Sequence, residues 1–347
     1  MPPHRHTGTV PAPRRPWYRR TRNTIPLAAL CLGVIAVAAS VLSPWPAALA
    51  IRGVFEKGAA DTVAEMDPSV PAGVASRLDV AYGSAGADTT LDVFFPEGTD
   101  SAQTTVVWIH GGAWISGSKQ NVDPYTRIIA SHGYTTVSLN YTVSPEATYP
   151  TAVGQLNAAL GFLVQNAAEF NIDPNRIVIA GDSAGAQLTS QLANLTTNPA
   201  FAASSGITPA LRPEQLAAVI LNCGIYDVSG IPDAPGIGGW GFRVALWSYL
   251  GSKDWSGQAG AAEMSSIQHV TPEFPRTWIS GGDADPLTAT QSKPLAAKLE
   301  SLGVPVTPVF YDGNPGLPHE YQFHLDLPEA ETALQSTLAF LASVDGR

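Results

Sequence analysis

The sequence predicts an α/β fold built on a mainly parallel sheet with helices on both faces. Short apolar runs rich in β-branched residues recur along the chain, as expected for strands buried on both faces of a parallel sheet. Segments with apolar residues at helical spacing separate these runs, and such alternation favours right-handed β-α-β crossovers. Hydrophobic residues make up 45% and charged residues 14% of the 347 positions. The chain therefore has enough apolar material for one large domain of this class.

The amino-terminal segment has a composition unlike the rest. Residues 1–23 contain six arginines and no acidic residue. Residues 24–43 then run about twenty positions without a charge, the length that crosses roughly 30 Å of hydrocarbon. This pattern predicts a transmembrane anchor, or uncleaved signal, behind a cytoplasmic tail, with the catalytic domain outside the cytoplasm. The alternatives are a secreted protein cleaved near Ala50, at the A-x-A match Ala48-Leu49-Ala50, or a buried core helix.

Charge and cysteine content exclude several other classes. Outside residues 1–23 the chain keeps 13 basic and 29 acidic residues, a balance that argues against nucleic acid as a partner. The two cysteines, Cys31 and Cys223, fall in an apolar segment and in a predicted core strand. A disulfide between them is therefore not expected.

Residues 44–75 are expected to form a connector, and residues 76–345 the catalytic domain. Alternating residues predict two antiparallel edge strands at the start of this domain, and buried runs predict the later strands. The predicted strands cover 77–82, 91–95, 104–109, 134–139, 177–180, 216–222, 277–280 and 306–311. The predicted helices cover 124–131, 152–170, 184–196, 292–302 and 328–341.

A stretch at about 225–275, before the penultimate strand, breaks the alternation of strands and helices. It holds Trp240, Trp247 and Trp255 among many glycines and prolines, and only 240–250 has a helical pattern. Loops of this length inside a compact domain are usually lids or binding insertions. Its tryptophans are expected either to line an apolar substrate pocket or to form the small core of the insertion.

The sequence Gly181-Asp182-Ser183-Ala184-Gly185 follows the strand at 177–180 and precedes a helix. This G-x-S-x-G match stands in the strand–turn–helix context of a nucleophile elbow, in which a strained turn exposes the serine. A second glycine motif, His110-Gly111-Gly112-Ala113-Trp114, follows the strand at 104–109. Its glycines allow backbone N–H groups to turn into a cavity, as an oxyanion hole requires.

A nucleophilic serine needs a base, normally a histidine held by a carboxylate. Among the seven histidines, His319 follows the last strand through a flexible loop and is the predicted base, whereas His324 is expected at the surface. Asp285 follows the penultimate strand and is the predicted acid. Asp227 and Asp283 remain competitors, because each also follows a strand. The order Ser183, Asp285, His319 is the one found in α/β-hydrolases.

With HGGAW, GDSAG, ADPL and a late HEYQF in this order, the sequence resembles the hormone-sensitive-lipase-like and related carboxylesterase families of α/β-hydrolases. The resemblance covers about 77–341. It implies the α/β-hydrolase fold with an eight-stranded sheet, ester hydrolysis, and no cofactor or metal. It also implies that Ser183 is the nucleophile, Asp285 the acid and His319 the base, and that the N–H groups of Gly111, Gly112 and Ala184 bind the oxyanion.

The chain departs from many of these relatives at Ala113, where a third glycine is common, and at Thr142, where an arginine often follows the tyrosine. The aspartate often seen after a Tyr-Pro pair is replaced around 155–157. In addition, the W-x-x-G-x-K run at 114–119 resembles kynurenine formamidase-like and feruloyl-esterase-like relatives.

These patterns predict a serine carboxylesterase that hydrolyses small to medium carboxylic esters through an acyl-enzyme. The expected partners are a small-molecule ester and a membrane, the latter through the N-terminal helix. A formamidase or amidase on the same triad is the first alternative. A catalytically silent binding protein on a hydrolase scaffold is the second.

Overall fold

The computed structural model describes residues 8, 30, 33, 39–233, 236–311, 313 and 316–346. The chain divides into two compact units, Met1–Pro46 and Ala47–Arg347. Apart from the first two residues of helix α1, every element described below belongs to the second unit. Cys31 and most of the segment 24–43 lie outside the described residues.

The second unit is organised around one eight-stranded sheet, and the α/β-hydrolase fold expected from the sequence motifs is confirmed. The strands lie in the order β1-β2-β4-β3-β5-β6-β7-β8. Strand β2 pairs antiparallel with β1 and with β4, and all other pairs are parallel. The strands are β1 Val74–Ala81, β2 Thr90–Pro96, β3 Gln103–Ile109, β4 Thr135–Leu139, β5 Ile172–Asp182, β6 Leu216–Asn222, β7 Thr277–Gly281 and β8 Val306–Phe310.

Helices cover both faces of this sheet. They are α1 Trp45–Met66, α2 Asp123–Ala130, α3 Thr151–Gln165, α4 Ala184–Thr197, α5 Pro199–Ser205, α6 Gly236–Leu250, α7 Ala259–Met264, α8 Lys293–Ser301 and α9 Pro328–Asp345. The period-2 alternation of β5 shows why both faces are needed: Ile177 and Ile179 belong to one apolar cluster, and Val178 and Ala180 belong to the other.

The register of the parallel strands brings their carboxyl ends to one edge. Ile109 of β3 pairs with Gly181 of β5, and Asp182 of β5 pairs with Asn222 of β6. Asn222 in turn pairs with Ser280 of β7. The loops after β3, β5, β6 and β7 therefore start at the same level, where ligands bind in open α/β sheets.

The prediction of an N-terminal transmembrane helix, and of a membrane-anchored catalytic domain, is wrong. Within the described residues, none of the helices is both long enough and apolar enough to cross a bilayer. Helix α1 has 22 residues, but it carries five charged side chains, at positions 52, 56, 57, 61 and 65. The A-x-A match at 48–50 lies inside this helix, with Ala48 fully buried.

Two further segments differ from the expected elements. The helix expected over 152–170 ends at Gln165 and is followed by a 3₁₀ turn, Ala167–Phe170, which closes with Asn171 in the left-handed region. The insertion contains more regular structure than its composition indicates, since α6 begins at Gly236 and α7 adds a second short helix. Packing against the rest of the domain compensates for the weak helical propensity of its glycines.

Candidate active site

Ser183 lies on a strained turn between β5 and α4. Its φ of +50° is unusual for a residue with a side chain, and its N–H donates to the carbonyl oxygen of Asn222 at 2.9 Å. A Cβ at Gly185 would overlap the carbonyl oxygen of Ile109, and a Cβ at Gly181 would press on the backbone of Gly185. The flanking glycines thus allow the strand, the turn and the helix to pass within backbone contact of each other.

The structure brings Ser183, His319 and Asp285 together. His319 Nε2 lies 2.9 Å from Ser183 Oγ, and His319 Nδ1 lies 2.7 Å from Asp285 Oδ2. Because a carboxylate only accepts hydrogen bonds, Nδ1 carries the proton in this contact. Nε2 in its neutral form is then free to accept the serine proton.

Asp285 is oriented by the turn that follows β7. Its other oxygen, Oδ1, accepts the N–H of Leu287 at 2.9 Å, so both carboxylate oxygens are engaged. The side chain is buried, which strengthens its interaction with the imidazole.

The two competing aspartates have other partners. Asp283 accepts the N–H of Leu317 at 2.7 Å and so ties down the loop that carries His319. Asp227 accepts both the N–H and the hydroxyl of Ser229, at 2.9 and 2.6 Å, within its own turn.

The surroundings of His319 favour its protonated form. Burial of the ring lowers the pKa of His319, but the hydrogen bond from Nδ1 to Asp285 and the negative charges of Glu320 and Asp285 outweigh it and raise the pKa to about 9. A base must be unprotonated at Nε2, and the raised pKa moves that form of the ring to higher pH.

The remaining described histidines lie away from Ser183 or are buried. His324 pairs with Glu65 at 3.1 Å, and His269 Nε2 contacts the carbonyl oxygen of Ala262 at 2.9 Å. His110 stacks on Tyr141 with ring centroids 4.4 Å apart. Burial lowers the pKa of His110 to about 4, although a contact with the Gly111 carbonyl opposes the shift. His110 is therefore a neutral packing residue of the loop.

The HGGAW loop presents a different set of N–H groups from the expected one. Gly111 N donates to Asp182 Oδ2 at 2.7 Å, so this N–H already has an acceptor. Within the described chain, the N–H groups of Gly112, Ala113 and Ala184 have none. Gly112 and Ala113 have φ values of +102° and +52° and line the same cavity as Ser183. The two left-handed residues thus form a turn in the backbone at the edge of that cavity.

The W-x-x-G-x-K run at 114–119 anchors the HGGAW loop to the surrounding structure. Trp114 Nε1 donates to Gln187 Oε1 at 3.0 Å, and the indole stacks on Tyr249 of α6. A Cβ at Gly117 would overlap the His110 ring. Lys119 is fully buried, and its Nζ donates to Asp79 at 2.7 Å and to Asp92. The motif thus connects the loop to α4, to α6 and to the edge of the sheet.

A cavity of about 460 Å³ opens onto Ser183 and His319. Val54 and Phe55 of α1 and Phe242 of α6 contribute apolar side chains to its wall. In α1, Val54 is 69% and Phe55 is 42% exposed, in keeping with a position at an open mouth. The sequence prediction missed α1 as a wall of the site. Its signal was the set of spaced apolar residues that begins with Val54, Ala59 and Val63, a pattern that also suits an ordinary amphipathic connector.

The insertion contributes Phe242 rather than its tryptophans. None of Trp240, Trp247 and Trp255 is among the described residues that line the cavity. Trp255 is buried and joins the main apolar cluster, whereas Trp240 is 43% exposed.

Two acidic residues of the site were not predicted from the sequence. Asp182 accepts hydrogen bonds from Trp108 Nε1 and Gly111 N, both at 2.7 Å, and Glu320 Oε1 lies 3.7 Å from His319 Nε2. Each is the direct neighbour of a catalytic candidate in the chain. Sequence position alone does not reveal that they meet.

One group of side chains has the composition of a metal site. The ligand atoms of Cys223, Asp285 and His319 all lie within 4.8 Å of one another. However, burial raises the pKa of the Cys223 thiol well above its usual value, and Asp285 and His319 are hydrogen-bonded to each other. These three residues are therefore better arranged for proton transfer than for metal ligation.

Comparisons with known proteins place this geometry in context. The chain is 26% identical to the esterase LipQ of Mycobacterium tuberculosis over 278 residues, which cover 79% of this chain and 63% of LipQ. It is 37% identical to the carboxylesterase NlhH of the same species over 109 residues, covering 31% of this chain and 34% of NlhH. The chain thus spans less than two thirds of the length of either relative.

A solved structure extends the likeness of the fold. An inhibited esterase B from Lactobacillus rhamnosis superimposes with a TM-score of 0.76 at 24% identity, covering 86% of this chain and 97% of that one. The BD-FAE family model matches residues 91–299, from the second strand of the sheet to the helix after the penultimate strand. With this match and the fold together, the chain belongs to the BD-FAE family of α/β-hydrolases.

Proposed function

We propose that this protein is a serine carboxylesterase that hydrolyses small to medium carboxylic esters through an acyl-enzyme. The observation that carries the proposal is the continuous contact from Ser183 Oγ to His319 Nε2 and from His319 Nδ1 to Asp285. The names of the relatives LipQ and NlhH, an esterase and a carboxylesterase, support the same reaction.

In the first half of the reaction, neutral His319 takes the Ser183 proton as Oγ attacks the ester carbonyl. Asp285 stabilises the imidazolium that forms. The carbonyl oxygen becomes an anion and accepts hydrogen bonds from Gly112, Ala113 and Ala184, whose N–H groups lack acceptors in the described chain. The N–H of Gly111, engaged by Asp182, is left out of this set. The proton on Nε2 then passes to the departing alcohol, and Ser183 keeps the acyl group.

In the second half, His319 removes a proton from water, and the hydroxide oxygen attacks the acyl-enzyme. The same N–H groups bind the second oxyanion. Nε2 returns its proton to Ser183 Oγ as the carboxylic acid leaves. Each donor of an oxyanion hole typically contributes about 10²–10³ in kcat.

The cavity supports esters of limited size. Its volume of about 460 Å³ lies within the range of small-molecule sites, and Val54, Phe55 and Phe242 offer apolar contacts for an acyl or alcohol chain. We expect a series of p-nitrophenyl esters from acetate to palmitate to give its highest kcat/KM at short to medium chains. A matched ester and amide compared under one condition would separate carboxylesterase from amidase activity.

The test is the Ser183→Ala variant of the full chain, with Ser256→Ala as the control at an exposed serine outside the site. Ser183→Ala should lose hydrolysis of p-nitrophenyl butyrate and covalent labelling by a fluorophosphonate. The control should retain both, and both variants should unfold at the temperature of the parent. Hydrolysis retained by Ser183→Ala would remove this serine from the mechanism.

A further inference from the structure

Glu320 occupies an unusual place beside the catalytic histidine. It follows His319 directly and has a φ of +59°, a left-handed conformation that turns its side chain back over the site. Its Oε1 lies 3.7 Å from His319 Nε2, and the residue lines the same cavity as Ser183. Nε2 therefore faces two oxygen groups: the hydroxyl of Ser183 at 2.9 Å and this carboxylate.

Glu320 also contacts a second acidic residue, Asp182. The two side chains are hydrogen-bonded to each other, and two carboxyl groups in contact do not both ionise readily. Burial, followed by the charge of Glu320, raises the pKa of Asp182 well above its usual value. Glu320 is the more exposed partner, with 33% of its side chain accessible. The raised pKa favours the shared proton on Asp182, and Glu320 is the side chain of the pair that faces the imidazole ring.

We propose that Glu320 is a positioning residue that holds the protonated form of His319, and that it thereby sets the lowest pH at which the site hydrolyses an ester. This inference rests on the proposed function, because it concerns the same histidine. Neutral His319 bonds to Ser183 and is competent as a base. Protonated His319 gains a second anion at Nε2, so the inactive form is stabilised relative to the active one.

The other groups that face His319 do not replace this charge. Asp285 contacts the opposite nitrogen, Nδ1, and its carboxylate is needed to orient the ring. The Cys223 thiol is buried, and its raised pKa keeps it neutral. Among the described residues, the titratable or hydroxyl groups found around the ring are Asp182, Ser183, Cys223, Asp285 and Glu320.

The experiment is the Glu320→Gln variant of the full chain, which keeps the shape of the side chain and removes its charge. The acid limb of kcat/KM for p-nitrophenyl butyrate should move to lower pH by about half a unit or more, as expected for loss of a partly screened charge near the ring. Glu65→Gln removes the carboxylate beside His324 and serves as the matched control. Its acid limb should coincide with that of the parent.

A second measurement separates this inference from the proposed function. The His319 ring proton, assigned by its loss in His319→Gln, is titrated by NMR, which requires no turnover. In Glu320→Gln its midpoint should move to lower pH in parallel with the activity limb. An unchanged midpoint would overturn the inference even if the enzyme hydrolyses esters. A moved midpoint in a protein without esterase activity would support the inference and reject the function.

A structural role for Glu320 would have a different signature. Loss of packing alone would lower the unfolding temperature or the maximal rate and leave the midpoint in place. Should Glu320→Gln fail to fold, Glu320→Asp carries the test. Its shorter side chain places the carboxylate farther from Nε2, and the midpoint should move in the same direction by a smaller amount.

Discussion

At the scale of single residues, the site depends on positions where a side chain would not fit. Gly185 is the clearest example, because its Cα lies so close to β3 that a Cβ would overlap the carbonyl oxygens of Ile109 and His110. Such an overlap involves backbone on both sides, so no rotamer change relieves it. The elbow would have to move, and Ser183 would move with it.

We therefore expect Gly185→Ala to destabilise the fold by about 1–3 kcal/mol through overpacking, and to lower kcat about 100-fold by misplacing the nucleophile. The control is Gly154→Ala in α3, where a Cβ meets nothing within 4 Å. This variant should gain about 0.5–1 kcal/mol of helix stability and keep full activity. Urea unfolding and p-nitrophenyl ester kinetics measure both. Equal behaviour of the two variants would contradict the packing argument.

The pH profile is a second prediction at this scale. The sequence alone suggests that activity falls below about pH 6, as for an imidazole with its reference pKa. The contacts of His319 raise its pKa to about 9. The acid limb of kcat/KM should therefore lie at higher pH than that of an ordinary imidazole, with activity falling as the pH decreases below about 9. A pH-rate profile from 5 to 10 checks this. An acid limb near pH 6 would show that the carboxylates act more weakly than their distances indicate.

The same shift has a consequence for stability. A histidine whose pKa is higher in the folded than in the unfolded state stabilises the fold fully below the unfolded pKa of about 6.5. This contribution is lost as the pH rises through about 9. His319→Gln should remove the contribution, so the unfolding temperatures of the variant and the parent should converge between pH 6.5 and 9.

At the scale of elements, Arg52 is the main polar anchor of helix α1 on the catalytic domain, beside the buried apolar residues Ala48 and Met66. Arg52 donates from Nε to the carbonyl oxygen of Ile115 at 2.6 Å and from Nη2 to that of Ser144 at 2.8 Å. Its guanidinium also forms a bidentate pair with Glu146. Ile115 lies in the loop whose neighbouring Ser116 and Gly117 line the cavity, so the helix and this part of the cavity wall are positioned together.

Arg52→Ala should therefore loosen α1, at a cost of about 2 kcal/mol for the lost charge-assisted hydrogen bonds. We expect faster proteolysis within residues 45–66 and a higher KM for p-nitrophenyl butyrate, with kcat less affected. Lys57→Ala, which removes an exposed pair with Asp61 on the same helix, is the control and should behave as the parent. Unchanged proteolysis of Arg52→Ala would show that apolar contacts alone hold the helix.

At the scale of the whole molecule, a cluster of charges, in which Lys119 and Asp92 are buried, connects the edge of the sheet to the HGGAW loop. Lys119 leaves the loop and inserts its Nζ between Asp92 of β2 and Asp79 of β1. Strand β1 has a register irregularity between Arg77 and Val80, and Asp79 lies within it with a φ of +54°. This bulge places Asp79 where it can reach the ammonium group.

Replacing Lys119 leaves the buried carboxylate of Asp92 without a countercharge. Lys119→Met should lower the free energy of unfolding by about 3–5 kcal/mol. The double variant Lys119→Met with Asp92→Asn should recover part of this loss, since the uncompensated carboxylate is gone. Urea unfolding of both variants measures the difference. A double variant as unstable as the single one would show that packing, rather than charge, accounts for the cost.

The motifs in the sequence allowed us to predict the fold class. They also allowed us to predict that the three candidate catalytic residues meet. Ser183, Asp285 and His319 each follow a strand, and parallel strands bring their carboxyl ends to a single edge. All three carboxylates of Asp285, Asp283 and Asp227 follow strands, so position in the sequence favoured Asp285 without excluding the other two. The contact of Asp285 with His319 is visible only in the structure. The transmembrane prediction is contradicted because no described helix could cross a bilayer; most of residues 24–43 lie outside the described residues, and the long helix at 45–66 carries charges.

The sequence by itself determined what depends on local order along the chain: the alternation of strands and helices, the elbow glycines and the serine proposed as the nucleophile. Tertiary structure alone decided which groups meet through space. In the folded protein, the N–H of Gly111 donates to Asp182, and Glu320 lies beside His319. Side chains of α1 line the cavity. The physical reason is that hydrogen bonds and charge interactions act over a few ångströms, and sequence separation carries no information about that distance until the chain has packed.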